Sequence, residues 1–200
     1  VRASHTVTVD INSADRSCAA LVDSGTLTWQ TGKRLNIGGL RILGSIIMTL
    51  ADTLHVYNDD ALGSDDIVIT GAGRFLVVGS KTLPAVIQGN TTNGVLPSFF
   101  VSGASAQLHW QHFDCGGFQG IWPSAGLTFT STDPKLISVR HGRFDSASVS
   151  LRLTGGHCLV GCKFTTYTNM NRAITLQSSP GDSIIGCRIL HNSLAGGSYA

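Results

Sequence analysis

Three basic residues, Arg140, Lys163 and Arg188, recur at similar intervals in the second half of the chain. Each follows a short apolar-x-apolar pattern, so alternation in a strand would place its side chain on the solvent face. If successive patterns stack, the three cations form a row, with His141 beside the first. A row of like charges attracts anions, such as the carboxylates of an acidic polysaccharide. The alternative is a solvated face whose long side chains splay apart.

The segment from His109 to Asp114 holds the densest set of chemically useful side chains. In one extended strand, Trp110, His112 and Asp114 would share a face, with His109 on the other. An exposed Trp would stack on a sugar ring, and His112 with Asp114 would act as an oriented base. Alternatively, Trp110 caps the first regular coil and the histidines are surface polar groups. The predicted ligand-binding residues are Trp110, His112, Asp114, Arg140, His141, Lys163 and Arg188.

Carboxylates suited to catalysis or metal binding are sparse. Glycoside hydrolysis needs two at a defined separation, and calcium sites need several that cluster. The regular C-terminal region carries Asp114, Asp133, Asp145 and Asp182. A denser acidic group is interpreted as a solvated turn: Asp59, Asp60, Asp65 and Asp66. We therefore predict no catalytic set, no metal site and no cofactor, and leave open whether the protein is an enzyme.

The five cysteines are not spaced as a zinc site would require. They are Cys18, Cys115, Cys158, Cys162 and Cys187. Stacked coils would place Cys115, Val139, Cys162 and Cys187 in one inward ladder. Neighbouring ladder positions have Cα atoms within reach of a disulfide, but their Cβ bonds are parallel. We expect buried free thiols, with a disulfide between Cys162 and Cys187 as the alternative.

The elements that must position these residues are short strands in a repeat. The apolar-x-apolar pattern ends at Cys115, Val139, Cys162 and Cys187, at intervals of 24, 23 and 25 residues. A second pattern follows 14 residues later in three coils, ending at Phe129, Leu153 and Leu176. Alternation predicts strands, and a fixed period of this size predicts a stacked array. We therefore predict two strands per coil of a β-solenoid, with a second inward ladder at those three residues.

The N-terminal half shows the same pattern with shorter coils. Taking alternate apolar pairs from Leu27 onward gives 19–21 residues per coil, against 23–25 C-terminally. We predict an all-β parallel β-helix with a short-coil solenoid at 1–80, an irregular coil or connecting loop at 81–107, and regular coils at 108–200. The last are expected to continue beyond the given sequence. A β-sandwich with hairpins is the alternative.

Composition is consistent with this fold. The chain has no Glu, four Lys and 24 Gly, and only 13% of its residues are charged. Glu and Lys favour helices, whereas Gly favours turns. The net charge of +2 gives no strong global attraction to nucleic acid, which we exclude as a partner. Since no apolar stretch approaches 18 residues, we predict no membrane span.

Two segments, Cys158–Phe164 (CLVGCKF) and Ser183–Ile189 (SIIGCRI), resemble the repeats of right-handed parallel β-helix proteins of the pectate-lyase-like superfamily. This resemblance covers residues 108–200, and the paired strands and glycines of residues 1–80 are more weakly similar to G8-type domains. It implies a right-handed coil and a relation to polysaccharide lyases, glycosidases, phage tailspikes and bacterial surface proteins. The fold hosts many unrelated functions, so it does not specify an activity.

From the residues and this resemblance we expect part of an extracellular, cell-surface or virion-surface protein. It would serve as a rigid scaffold with a carbohydrate-binding surface for an acidic glycan. One alternative is a polysaccharide lyase or glycoside hydrolase acting on an acidic polysaccharide. Another is a segment of a trimeric phage tailspike or adhesin, which would form a homotrimer.

Overall fold

A computed structural model describes residues 1–10, 12, 21–58, 67–91, 97–101, 105–118, 127–129, 137–145, 149–152, 158–166, 174–177, 181 and 183–191. Across these ranges the chain forms 22 short β-strands and no helix, which confirms the predicted all-β class. Accordingly, the described residues include no helix long and apolar enough to cross a membrane.

The strands form three parallel sheets. The first contains β1 Thr6–Val9, β3 Thr26–Trp29, β6 Ser45–Met48, β9 Arg74–Val78, β12 Gln107–Gln111, β15 Ile137–Arg140, β18 Cys158–Val160 and β21 Ser183–Ile185. The second contains β4 Arg34–Ile37, β7 Thr53–Asn58, β10 Ala85–Thr91, β13 Phe113–Gly116, β16 Arg143–Asp145, β19 Lys163–Thr166 and β22 Arg188–His191. The third contains β2 Leu21–Asp23, β5 Leu40–Ile42, β8 Ile67–Ile69, β11 Phe99–Val101, β14 Leu127–Phe129, β17 Val149–Arg152 and β20 Ile174–Gln177.

From β3 onward, successive strands visit the first, second and third sheets in turn, and each pairs with the strand three places further along the chain. The pairings are parallel, which confirms the β-helix and excludes the hairpins of a sandwich. The prediction of two strands per coil is wrong, because each full coil has three. The three strands of a coil share the apolar-x-apolar pattern, so periodicity alone does not assign a strand to a sheet.

Coil length varies more than predicted. The first sheet repeats after 19 residues from Leu27 to Ile46, but after 33 from Phe75 to Leu108. Taking alternate apolar pairs aligned Ile67 with Ile46 on the next coil. In the structure Ile67 lies in the third sheet, and the partner of Ile46 is Phe75. The extra residues fall in connections between strands, because the strands themselves stay paired residue for residue.

The region 81–107 belongs to the same stack. Its strand β10 pairs with β7 on one side and β13 on the other. Its strand β11 likewise joins β8 and β14 in the third sheet. The two described strands of this region are therefore part of the same sheets as their neighbours.

The predicted inward ladder of Cys115, Val139, Cys162 and Cys187 is wrong for its first two members. Cys115 lies in the second sheet, paired with Phe144, while Val139 lies in the first sheet, paired with Leu159. Cys162 and Cys187 do occupy equivalent positions on successive coils. Val160 pairs with Ile185, and each cysteine lies two residues after its member of that pair. The four described cysteines are free thiols: Cys115, Cys158, Cys162 and Cys187.

Two of the three members of the second predicted ladder share one register column. In the third sheet, Leu151 pairs with both Phe129 and Leu176. Leu153, which the fixed 14-residue offset selected, lies outside the described residues. The offset fails because β17 begins sooner after β16 than the corresponding strands do in the neighbouring coils.

A column of aromatic rings fills the interior where the second sheet meets the first. The ring of Phe144 lies 4.8 Å from that of Phe164 at an interplanar angle of 7°, and 5.2 Å from that of Phe113 in an edge-on contact. All three side chains are buried. Gly142 has no side chain at the place where a Cβ would lie 2.1 Å from the Phe113 ring. Ring packing of this kind adds to the gain from burial alone.

Replacing Phe144 by Ala tests this column. The substitution removes a fully buried ring and both of its ring contacts, so the free energy of unfolding in urea should fall by about 3–5 kcal/mol. Gln111→Ala, on the exposed face of the first sheet, is the control and should change it by less than about 0.5 kcal/mol. A loss at Phe144 no larger than at Gln111 would contradict the packing described.

Candidate functional site

The outer face of the second sheet carries a line of charged residues, one per coil. Asp114 pairs with Arg143, Arg143 with Lys163, and Lys163 with Arg188. These positions point outward because they alternate with the buried Phe144 and with its register partners. We call Arg143, Lys163 and Arg188 the cationic column. All three of its side chains are exposed.

Within the part of the chain that the structure describes, one end of the cationic column is ion-paired. Arg143 Nη2 lies 3.2 Å from Asp114 Oδ2, and both side chains are partly accessible to solvent. Neither Lys163 nor Arg188 makes an ion pair with any residue that the structure describes.

The predicted row contained Arg140 where the structure has Arg143. Arg140 ends β15 in the first sheet, where it pairs with Gln111 and Val160. The chain then turns at His141 before β16 starts the second sheet at Arg143. A sequence signal for the correct register existed, because three tripeptides end in a cation and align without a gap: His141-Gly142-Arg143, Gly161-Cys162-Lys163 and Gly186-Cys187-Arg188.

The first residue of each tripeptide lies at the corner between the first and second sheets. His112, His141, Gly161 and Gly186, the corner column, have φ values of 51°, 52°, 61° and 61°. This left-handed conformation turns the backbone N–H toward the next coil. His141 N–H donates to Val160 O at 2.8 Å, and Gly161 N–H donates to Ile185 O at 2.8 Å. Histidine is strained in this conformation, and the strain occurs at His112 and His141 on two successive coils.

The two histidines of the corner column stack face to face. Their ring centroids are 5.3 Å apart, with an interplanar angle of 19°. Above them, Gly161 leaves room for the second ring, because a Cβ there would lie 2.7 Å from His141 Nδ1. Since His141 precedes Arg143 by two residues, the stacked rings flank the cationic column.

Trp110 is not the exposed platform that the sequence suggested. It is 1% exposed and packs edge-on against Phe75, Phe99 and Phe113 in the interior. The prediction treated the segment as one strand, but the chain turns at His112. Trp110, His112 and Asp114 therefore lie inside the coil, at its corner and on the second sheet, respectively.

A shallow depression of about 180 Å³ lies on the outer face of the first sheet. Its wall includes His109, Ser138 and Arg140, and Arg140 Nε donates to Ser138 Oγ at 3.1 Å. Burial and, secondarily, the charge of Arg74 lower the pKa of His109, which disfavours its cationic form. Arg140 therefore lies near the corner column but on the first sheet, whereas Lys163 and Arg188 lie on the second.

A second outward line in the second sheet is polar, and sequence reasoning missed it as a site. Gln88 pairs with Gly116, Gly116 with Asp145, and Asp145 with Thr165. Gly116 leaves a notch in this line, where a Cβ would approach Gln88 Oε1 at 3.3 Å. Asp145 Oδ1 beside it is enclosed and has no described hydrogen-bond partner. The spacing of apolar residues could not reveal this line, because the line consists of outward residues.

The other acidic candidates cannot be placed. Asp59, Asp60, Asp65, Asp66, Asp133 and Asp182 lie outside the described residues. Within the part of the chain that is described, no three His, Cys or Asp side chains come together as a metal site would require.

Comparisons with family models, with curated proteins and with solved structures give no match to this chain. The resemblance to pectate-lyase-like proteins and to G8-type domains therefore stays a prediction. The β-helix itself depends on the strand pairing above and not on that resemblance.

The corner column predicts unequal costs for two similar substitutions. Gly161→Ala and Gly186→Ala both force a side chain into the same left-handed conformation, at about 1–2 kcal/mol each. Only Gly161 faces the His141 ring, so its substitution should cost at least about 1 kcal/mol more in urea unfolding. Adding His141→Ala should remove that excess. Equal losses, or an excess that survives His141→Ala, would contradict the stacked corner.

Proposed function

We propose that this protein is a rigid β-helix scaffold that binds a linear acidic polysaccharide along the outer face of its second sheet. The cationic column carries this proposal. It places one cation on each of three successive coils, and coils repeat at the strand spacing of about 4.8 Å. A polymer lying along the axis would meet a new cation at each step of that size.

The electrostatics favour a polyanion over a single small anion. Two like charges about 4 Å apart repel by about 1 kcal/mol in water, so neighbouring cations in the column destabilise one another. An anion between neighbouring cations relieves that repulsion, and a chain of linked anions does so at every coil at once. Linked contacts also gain from effective concentration, because the second carboxylate is delivered by the first.

The neighbouring polar line favours a sugar polymer. The amide of Gln88, the carboxylate of Asp145 and the hydroxyl of Thr165 belong to this line. Asp145 and Thr165 follow Arg143 and Lys163, respectively, by two residues on the same outer face. Such groups exchange hydrogen bonds with sugar hydroxyls. A uronate supplies both the carboxylate for Lys163 or Arg188 and the hydroxyls for this line. The setting proposed for such binding is the cell exterior or the surface of a cell or virion.

Substitution of the two unpaired cations tests the binding surface. The double variant Lys163→Gln/Arg188→Gln should bind polygalacturonate about tenfold or more weakly than the parent at low salt, by titration calorimetry. Arg41→Gln is the matched control, because Arg41 is an exposed cation on the third sheet. High salt should weaken the parent's binding, since exposed charges are screened.

Three results would contradict this proposal. One is equal weakening by Arg41→Gln, which would indicate attraction to net charge alone. Another is equal binding of dextran, which carries no charge. The third is preferential binding of single-stranded nucleic acid over the polyuronate.

A second candidate function is hydrolysis of the bound polymer. Asp114 and Asp145 lie on adjacent coils of the same face, in diagonal register across Arg143 and Gly116. Diagonal neighbours in a sheet are about 7–8 Å apart, within the range of carboxylate separations in inverting glycosidases, about 6.5–9.5 Å. Asp114 is engaged by Arg143, whereas Asp145 Oδ1 has no described partner.

Release of reducing ends from polygalacturonate separates the two candidates. The hydrolytic function predicts turnover by the parent and a loss of about 100-fold or more in Asp145→Asn, with binding retained. Arg41→Gln, on the third sheet, is the control and should turn the polymer over as the parent does. Binding by the parent without any turnover would exclude hydrolysis and leave the binding function intact.

A further inference from the structure

Cys162 and Cys187 are two thiols at one repeated position of the stack. They occupy the middle of tripeptides whose last residues, Lys163 and Arg188, are paired in register. Their Cα atoms are therefore one coil apart, about 4.8 Å, which lies within the range of about 4.4–6.8 Å found in disulfides. Cys115 and Cys158 lie on other parts of the coil, in the second-sheet interior and on the first-sheet exterior.

The side chains of this pair have the same orientation. The Cys162 thiol donates to Val139 O at 3.7 Å, and the Cys187 thiol donates to Leu159 O at 3.6 Å, one coil further on. Cys162 is buried, whereas Cys187 is partly accessible. Burial raises the pKa of the Cys162 thiol to about 12, so Cys187 is the better placed to react first.

A bond between Cys162 and Cys187 would join two successive coils, whose strands pair as β18 with β21 and β19 with β22. Elements of a folded protein open locally, and a covalent bond between two coils suppresses the opening of one from the other.

We propose that Cys162 and Cys187 are a redox modification site, at which a small disulfide such as oxidised glutathione creates a bond that joins two successive coils. The Cys187 thiolate attacks one glutathione sulfur, the glutathione S–S bond breaks, and one glutathione leaves. Cys162 then loses its proton and attacks Cys187 Sγ, which releases the second glutathione. Two cysteine thiols are oxidised, one glutathione disulfide is reduced, and both thiol protons end on the two glutathiones.

The experiment treats the reduced full chain with oxidised glutathione, quenches it with N-ethylmaleimide in denaturant and counts free thiols by intact mass. Two thiols should be lost, and a digest should show the peptides containing Cys162 and Cys187 joined. Cleavage within residues 183–191 by added protease should slow by about tenfold or more, and dithiothreitol should restore it.

Matched variants distinguish this bond from a general effect of oxidation. Cys162→Ser and Cys187→Ser should each abolish both the cross-link and the protection, whereas Cys158→Ser should behave as the parent. A cross-link to any other cysteine, a persistent glutathione adduct at Cys187, or a bond between the two that leaves cleavage unchanged would overturn the proposal. These readouts require no glycan, so they are independent of the proposed binding function.

Discussion

Each coil of this protein lies directly on the next and is held there by parallel strand pairing in three sheets. This constraint means that every side chain meets the residue at the same place in the coils before and after it. Apolar residues that repeat therefore form continuous interior columns, such as Cys115, Phe144 and Phe164 in the second sheet. A charge that repeats from coil to coil is unfavourable, because like charges become neighbours on the solvent face.

The corners between the first and second sheets determine which side chains align on the outer face of the second sheet. At the turn from the first to the second sheet, a left-handed residue is required at His112, His141, Gly161 and Gly186. Glycine adopts this conformation without a steric cost, whereas histidine does not. The two histidines retain it while their rings stack on one another and while their N–H groups bond to the following coil. The same corner fixes where β16, β19 and β22 begin, and so aligns the cations at their first positions.

The sequence was sufficient for the fold class but not for the register. Alternation of apolar residues identifies strands such as Ile137–Arg140, and the repeat of these strands indicates a solenoid. The same alternation marks all three sheets, so it assigned Cys115 and Val139 to one ladder although they lie in different sheets. It also treated His109–Asp114 as one strand, which placed Trp110 outside. Recognition of the three corner tripeptides would have located the turn after β15 and put Arg143 with Lys163 and Arg188. The equivalent corner at His112-Phe113-Asp114 ends in a carboxylate, so the same signal does not mark the turn after Trp110.

The alignment of Lys163 with Arg143 is the claim on which the binding surface most depends. Backbone NMR of the isotopically labelled chain, with nuclear Overhauser contacts between strands, measures it directly. The account predicts that the Lys163 strand lies between those of Arg143 and Arg188, with Lys163 N–H bonded to Gly142 O, as at 2.9 Å in the structure. Contacts that instead set Lys163 opposite Arg140, the register given by the apolar period alone, would contradict it.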